Sequence, residues 1–131
     1  MSAFADNAAA GLAILLWASE PEAPHRLATP FFHAAAAAAL DLPVEVYFTA
    51  RSVLLLQPGV AASLRPSSHP KTVYDSMQEA AKLGAVFYAC SDALQAHGLD
   101  AAQLIPECAG RGGAVQFLDR ASDLRWRTLV F

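Results

Sequence analysis

Positive charge is what this sequence has least of. Nine lysines and arginines face twelve aspartates and glutamates, for a formal net charge of -3 and a pI near 5.7. A chain without a basic excess is poorly equipped to follow a phosphate backbone, which argues against a nucleic-acid partner. No lysine or arginine precedes Arg26, so the apolar run Ala8–Ala18 lacks the positive flank of a secretory signal and reads as a first strand. Its length is far short of the ~20 apolar residues that span a bilayer, no other segment reaches it, and no membrane crossing is expected. Cysteine is limited to Cys90 and Cys108. In the cytoplasmic setting these absences suggest, two cysteines are free thiols rather than a structural bridge. No histidine or cysteine spacing matches a structural zinc site, so no metal is expected. Gly110–Gly113 lacks the spacing of a dinucleotide or P-loop cradle and follows no predicted strand, so no nucleotide cofactor is expected either.

What the chain does have is apolar surface. It is 55% hydrophobic with a mean hydropathy of +0.32, an excess that points to a subunit interface and hence a homo-oligomer. Its length suits a single domain over residues 1–131, with residues 1–10 a loose tail. Leu12–Trp17, closed by Ser19-Glu20-Pro21, has the unbroken apolar character of a strand buried on both faces. An Ala-rich helix is predicted from about Ala23 to Leu40, with Thr29 a candidate N-cap and Pro30 a candidate kink. A second strand covers Val44–Ala50, and Ser52–Leu56 reads as a further short strand. After a Ser/Pro-rich loop, Thr72 and Asp75 form a capping box for a helix that Gly84 stops. Ala85–Cys90 gives another apolar strand, on this count the fourth, followed by Ser91 as N-cap of a helix ending at Gly98. Leu99–Gly112 is irregular, Ala114–Ala121 is amphipathic, and Arg125–Phe131 is a last strand. Strands alternating with helices imply βαβ units and a parallel sheet with helices on both faces.

Ligands of such a sheet gather outside the carboxyl ends of its strands. Cys90 ends a strand and precedes a helix, where unpaired N–H groups favour a thiolate; Asp92, two residues on, opposes it. Ser19, Glu20, Thr49, Ala50, Arg51 and Ser91 also follow strands and are expected to line the crevice, with Arg51 the cation nearest an anionic sulfur. His97 lies about seven residues along the helix from Cys90, roughly 10 Å, too far to serve as its base. His33 is expected to be packed, and His25 and His69 solvated.

The stretch Ala85-Val-Phe-Tyr-Ala-Cys90-Ser-Asp-Ala-Leu-Gln-Ala-His-Gly98-Leu99 resembles the signature of DsrE-like proteins, and Leu104-Ile105-Pro106, Asp123 and the closing Thr128–Phe131 agree with it. This resemblance implies a flavodoxin-like, three-layer α/β/α fold on a mainly parallel five-stranded sheet, assembled as a trimer or hexamer. It further implies a cysteine, here Cys90, that carries sulfur as a persulfide between donor and acceptor proteins. Glu107-Cys108-Ala-Gly-Arg-Gly-Gly113 departs from the family pattern, so Cys108 inherits no role, although the topology could bring it toward the crevice. Three functions compete: a sulfur carrier or sulfurtransferase subunit using Cys90, a thiol peroxidase or sensor in which Cys108 resolves oxidised Cys90, and a non-catalytic oligomeric binding subunit.

Overall fold

The computed structural model describes residues 9–68 and 70–131, so most of the expected tail and His69 lie outside the described residues. Five strands, β1 (Gly11–Leu16), β2 (Val44–Phe48), β3 (Val86–Ala89), β4 (Cys108–Arg111) and β5 (Trp126–Val130), pair in the order β4-β3-β2-β1-β5. Every pairing is parallel, as alternation with helices requires. Helices α1 (Ala28–Ala39) and α2 (Val73–Lys82) pack on one another and on one sheet face. The short α3 (Ser91–Ala96) follows β3, and α4 (Ala114–Ala121) lies on the other face over β1 and β5. The result is the expected three-layer α/β/α arrangement.

Side-chain alternation along the strands explains the layers. Leu12, Ile14 and Leu16 point to α1 with Val44, Val46, Phe48, Phe87 and Ala89, while Ala13 and Tyr47 point to α4 and Phe117. Phe31 of α1 meets Phe48 and Phe87 at ring-centroid distances of 6.0 and 5.9 Å, and full burial of each such ring is worth about 1.5–3 kcal/mol. On the opposite face the Trp126 ring lies across Gly11, its β1 partner. A Cβ at Gly11 would come within 2.4 Å of that ring, so glycine is required by close approach.

Several predicted elements are shorter or different. The first helix begins at Ala28 rather than Ala23, because Pro24–Arg26 forms a separate 3-10 turn. Leu27 stands at its N-cap in place of Thr29, and Pro30 falls in the first turn, where its missing N–H costs no helical bond and produces no kink. His33 is exposed rather than packed, with its ring 5.6 Å from that of Phe131. The second strand stops at Phe48. Ala50 takes a left-handed φ of 50°, and Ala50–Leu56 winds as a 3-10 helix instead of a strand, with Ser52 Oγ 2.7 Å from both Leu16 O and Thr49 O. Cys90 therefore tops the third strand, not the fourth. The Thr72–Asp75 capping box is present in both directions, at 3.1 and 2.9 Å. The segment 99–112 is not wholly irregular: Cys108–Arg111 is the edge strand β4, whose glycine and single-residue bulge erased its periodic signal. Gly112 and Gly113 consequently do follow a strand, and they open α4. No described helix is long and apolar enough to cross a membrane.

Candidate functional site

At the carboxyl end of the sheet, between β1, β2 and α4, lies a cavity of about 210 Å³ with Cys90 in its wall. Cys90 is half-buried, has extended backbone, and is itself the N-cap of α3, so Ser91 is the first helical residue rather than the cap. Its N–H is bonded to Phe48 O at 2.9 Å and its C=O accepts from Leu94 N–H at 3.0 Å, which fixes the residue between strand and helix. Gly113 passes so close that a Cβ there would lie 3.7 Å from the Cys90 sulfur. The rest of the wall is apolar, built from Leu15, the Tyr47 ring, Phe117 and Leu118, with Thr49 at the rim. A sulfur atom held here meets hydrocarbon and peptide rather than charge.

The floor is anchored by a polar network that strand β2 reveals as a single carboxylate in Val44-Glu-Val-Tyr-Phe48. Glu45, only 9% exposed, receives Arg120 of α4 in a two-pronged ion pair at 2.9 and 3.0 Å. Tyr47 Oη donates to Glu45 Oε1 at 2.6 Å and accepts from Gln116 Nε2 at 3.0 Å. The Arg120 guanidinium also lies over the Trp126 ring at 4.6 Å. The network fixes α4, and with it one wall of the cavity. Burial, then the bond to Glu45, pushes the Tyr47 phenol well above its ordinary range. A raised phenol stabilises the fold fully below the unfolded tyrosine value of ~10, and that contribution is lost as pH climbs from there toward the folded value. Stability should therefore fall above pH ~10, and Tyr47→Phe should flatten that limb of a denaturation series; parallel curves for the two proteins would contradict the assignment.

Of the residues expected in the crevice, only Thr49 shares the cavity with Cys90. Ser19 is buried beside a separate pocket lined by His25, Arg26 and Phe131. Arg51 is not available to an anionic sulfur, because it is paired with Glu22 at 2.6 Å and Glu20 at 3.5 Å. That contact holds the Glu22 carboxyl below its usual range. Ser91 is exposed, and Ala50 turns the chain away. Tyr47, Gly113, Phe117 and Leu118 were missed. The legible signals were the glycine pair directly before an amphipathic helix and the lone glutamate in an apolar strand.

Cys108 does not reach this site. It begins β4 opposite Phe87, three residues before Cys90 on the neighbouring strand, a separation of roughly 10 Å along the sheet. Its strand partner Phe87 belongs to the α1-side core, so by register Cys108 takes that face, and it is absent from the cavity wall that holds Cys90. Disulfide Cα atoms are ~4.4–6.8 Å apart, so the two thiols cannot bridge without moving a strand. Burial pushes the Cys108 thiol up, and contacts with the Gly110 and Ala89 backbone offset this only in part. Iodoacetamide should accordingly label Cys90 faster than Cys108 in the folded protein, and peroxide should produce no intramolecular disulfide; equal labelling or a Cys90–Cys108 bridge would contradict the geometry. Among the described residues no group of three or more His, Cys, Asp or Glu is placed to hold a metal.

A parallel five-stranded α/β/α sheet of this kind has clear counterparts. Residues 13–131 match the DsrE/DsrF-like family, and the chain belongs to it. The crystal structure of the YchN protein from E. coli superposes with a TM-score of 0.71 at 14% identity, covering 92% of this chain and 99% of that one. MTH1491 from Methanobacterium thermoautotrophicum, a protein of unknown function, superposes with a TM-score of 0.63 at 18% identity, covering 92% and 97%. These likenesses establish the fold. No curated protein matches the sequence.

Proposed function

We propose that the protein is a sulfur carrier or sulfurtransferase subunit that holds sulfane sulfur as a persulfide on Cys90. Family membership, which is broadly linked to sulfur relay, supports the reading. The observation that carries it is the Cys90 sulfur in the wall of an apolar cavity at the carboxyl end of the sheet. Loading is a thiol exchange: the Cys90 thiolate attacks a sulfane sulfur of the donor, the donor S–S bond breaks, and its remaining thiolate leaves. Unloading is the same reaction in reverse, with an acceptor thiolate attacking the outer sulfur and regenerating Cys90. Donor and acceptor are most simply proteins bearing reactive cysteines, in a reducing compartment such as the cytoplasm, without nucleic acid or metal. The peroxidase reading is weaker, since Cys108 stands opposite Phe87 on the neighbouring strand, three residues short of Cys90, and outside its cavity.

The same reading includes self-association as a trimer or hexamer, supported by the exposure of Trp17, Val115, Leu118, Leu124 and Val130. To test the carrier role, polysulfide-treated protein is freed of donor and mixed with a second protein thiol. The sulfur should pass to the acceptor and return Cys90 to its original mass. Sulfur that no thiol can remove would mark storage or damage rather than relay.

A further inference from the structure

The two edges of the sheet differ. β4 is short, carries a bulge opposite Phe87 and Tyr88, and contains Gly110 at φ +158°, features that blunt an edge against pairing. β5, the other outermost strand, has no such device. Arg125 O accepts from Ala10 N–H and Phe131 N–H donates to Leu15 O, so the odd residues of β5 turn their backbone groups inward to β1. By alternation Thr128 and Val130 turn theirs outward, as does the Trp126 carbonyl, while the Trp126 N–H is bonded to Asp123 O at 2.9 Å.

We propose that β5 pairs antiparallel with β5 of a second copy about a two-fold axis through Thr128, joining two sheets into one. The inference rests on the self-association reading and specifies its interface. A two-fold perpendicular to the sheet makes a strand antiparallel to its own copy, as an isologous contact requires. With the axis at Thr128, the outward-facing residues meet one another: Thr128 faces its own counterpart, and Trp126 faces Val130 of the other copy. Arg127 falls opposite Leu129, so no like charges stand directly across the seam.

Helix α4 favours a second copy over an unrelated strand. It lies over β1 and β5, about one strand spacing of ~4.8 Å from the outer edge of the sheet, so the axis sets α4 and its counterpart about 10 Å apart. That is the packing distance of two helices. Gln116 and Arg120 are tied to β2, which turns the opposite flank of α4, carrying Ala121 and the exposed side of Leu118, toward the seam. Leu118 and Val130, both more than half exposed in one copy, are thereby covered. A lone added strand would bring no helix to cover them.

A two-fold contact is present in a dimer or a hexamer of two stacked trimers, and absent from an isolated trimer. Light scattering should therefore give an even-numbered assembly. Thr128→Pro removes an outward N–H while leaving the β1 bonds, and should reduce the mass to half or less. Ala121→Glu, at an exposed position on the seam-facing flank of α4, should weaken the assembly without touching the strand. Thr128→Cys in a Cys108→Ser background should give a covalent dimer on mild oxidation, through a disulfide between the introduced thiols. A wild-type monomer would refute self-association itself. An isolated trimer, or an even-numbered assembly that both variants leave intact and in which Thr128→Cys gives no cross-link, would overturn this interface while leaving self-association standing.

Discussion

Cys90→Ser should gain no sulfur from polysulfide, whereas the wild type and Cys108→Ser should each gain at least one sulfur atom in intact-mass spectra. The expectation follows from what persulfide chemistry needs: a thiol that can ionise, an approach to it, and surroundings that do not at once expose the product to water. Cys90 has the approach and the surroundings in the cavity beside α4. Cys108 has neither, because it stands outside that cavity and burial holds its thiol protonated to higher pH. The serine change removes one sulfur atom at a half-buried position and keeps the backbone bonds to Phe48 and Leu94, so the loss should be chemical rather than structural. Unchanged thermal unfolding of Cys90→Ser would confirm that. If Cys108→Ser loses loading and Cys90→Ser keeps it, the assignment of the carrier thiol is reversed.

The second large effect belongs to Arg120. Arg120→Leu leaves the Glu45 carboxylate in the sheet with only the Tyr47 hydroxyl as a bonded partner. Breaking a buried pair from one side costs ~3–5 kcal/mol, and because Arg120 keeps about a third of its side chain in solvent the lower figure applies, about 3 kcal/mol in urea denaturation. Replacing both partners, Glu45→Leu with Arg120→Leu, should cost clearly less than the sum of the two single changes. Additive costs would mean that the pair is not coupled. Since Phe117 and Leu118 lie on the same helix, the single variant should also load sulfur less completely than wild type.

The parallel sheet was legible because β1 and β2 are buried on both faces and β3 on one, so that they read as apolar runs, broken in β2 only by Glu45 and bounded by turn residues. Thr72 and Asp75 announced α2 because a capping box is local chemistry that needs no tertiary partner. β4 was not legible. Its Cys-Ala-Gly-Arg has no strand propensity, and only its pairing with β3 makes it extended. Ser52–Leu56 misled for the opposite reason: the short apolar run Val53–Leu56 fits a strand or a buried helical turn, and a left-handed Ala50 with Ser52 bonded to the end of β1 decided it. At the site, Cys90 was found from its strand-to-helix position, which survives without coordinates. Arg51 was misassigned because its partners Glu20 and Glu22 are about thirty residues away in sequence. The wall of the cavity could not be foreseen for a related reason: α4 reaches Cys90 only after β4 has carried the chain to the far edge and Gly112-Gly113 has turned it back.

The central claim is that sulfane sulfur resides on Cys90, and locating that sulfur in the wild-type protein tests it most directly. Both cysteines fall in one tryptic peptide, residues 83–111, so the assignment must come from fragment ions that break the chain between them. After polysulfide treatment and alkylation, fragments containing Cys90 should carry the additional sulfur and those containing only Cys108 should not. Additional sulfur confined to Cys108 fragments, or absent from both, would contradict the account.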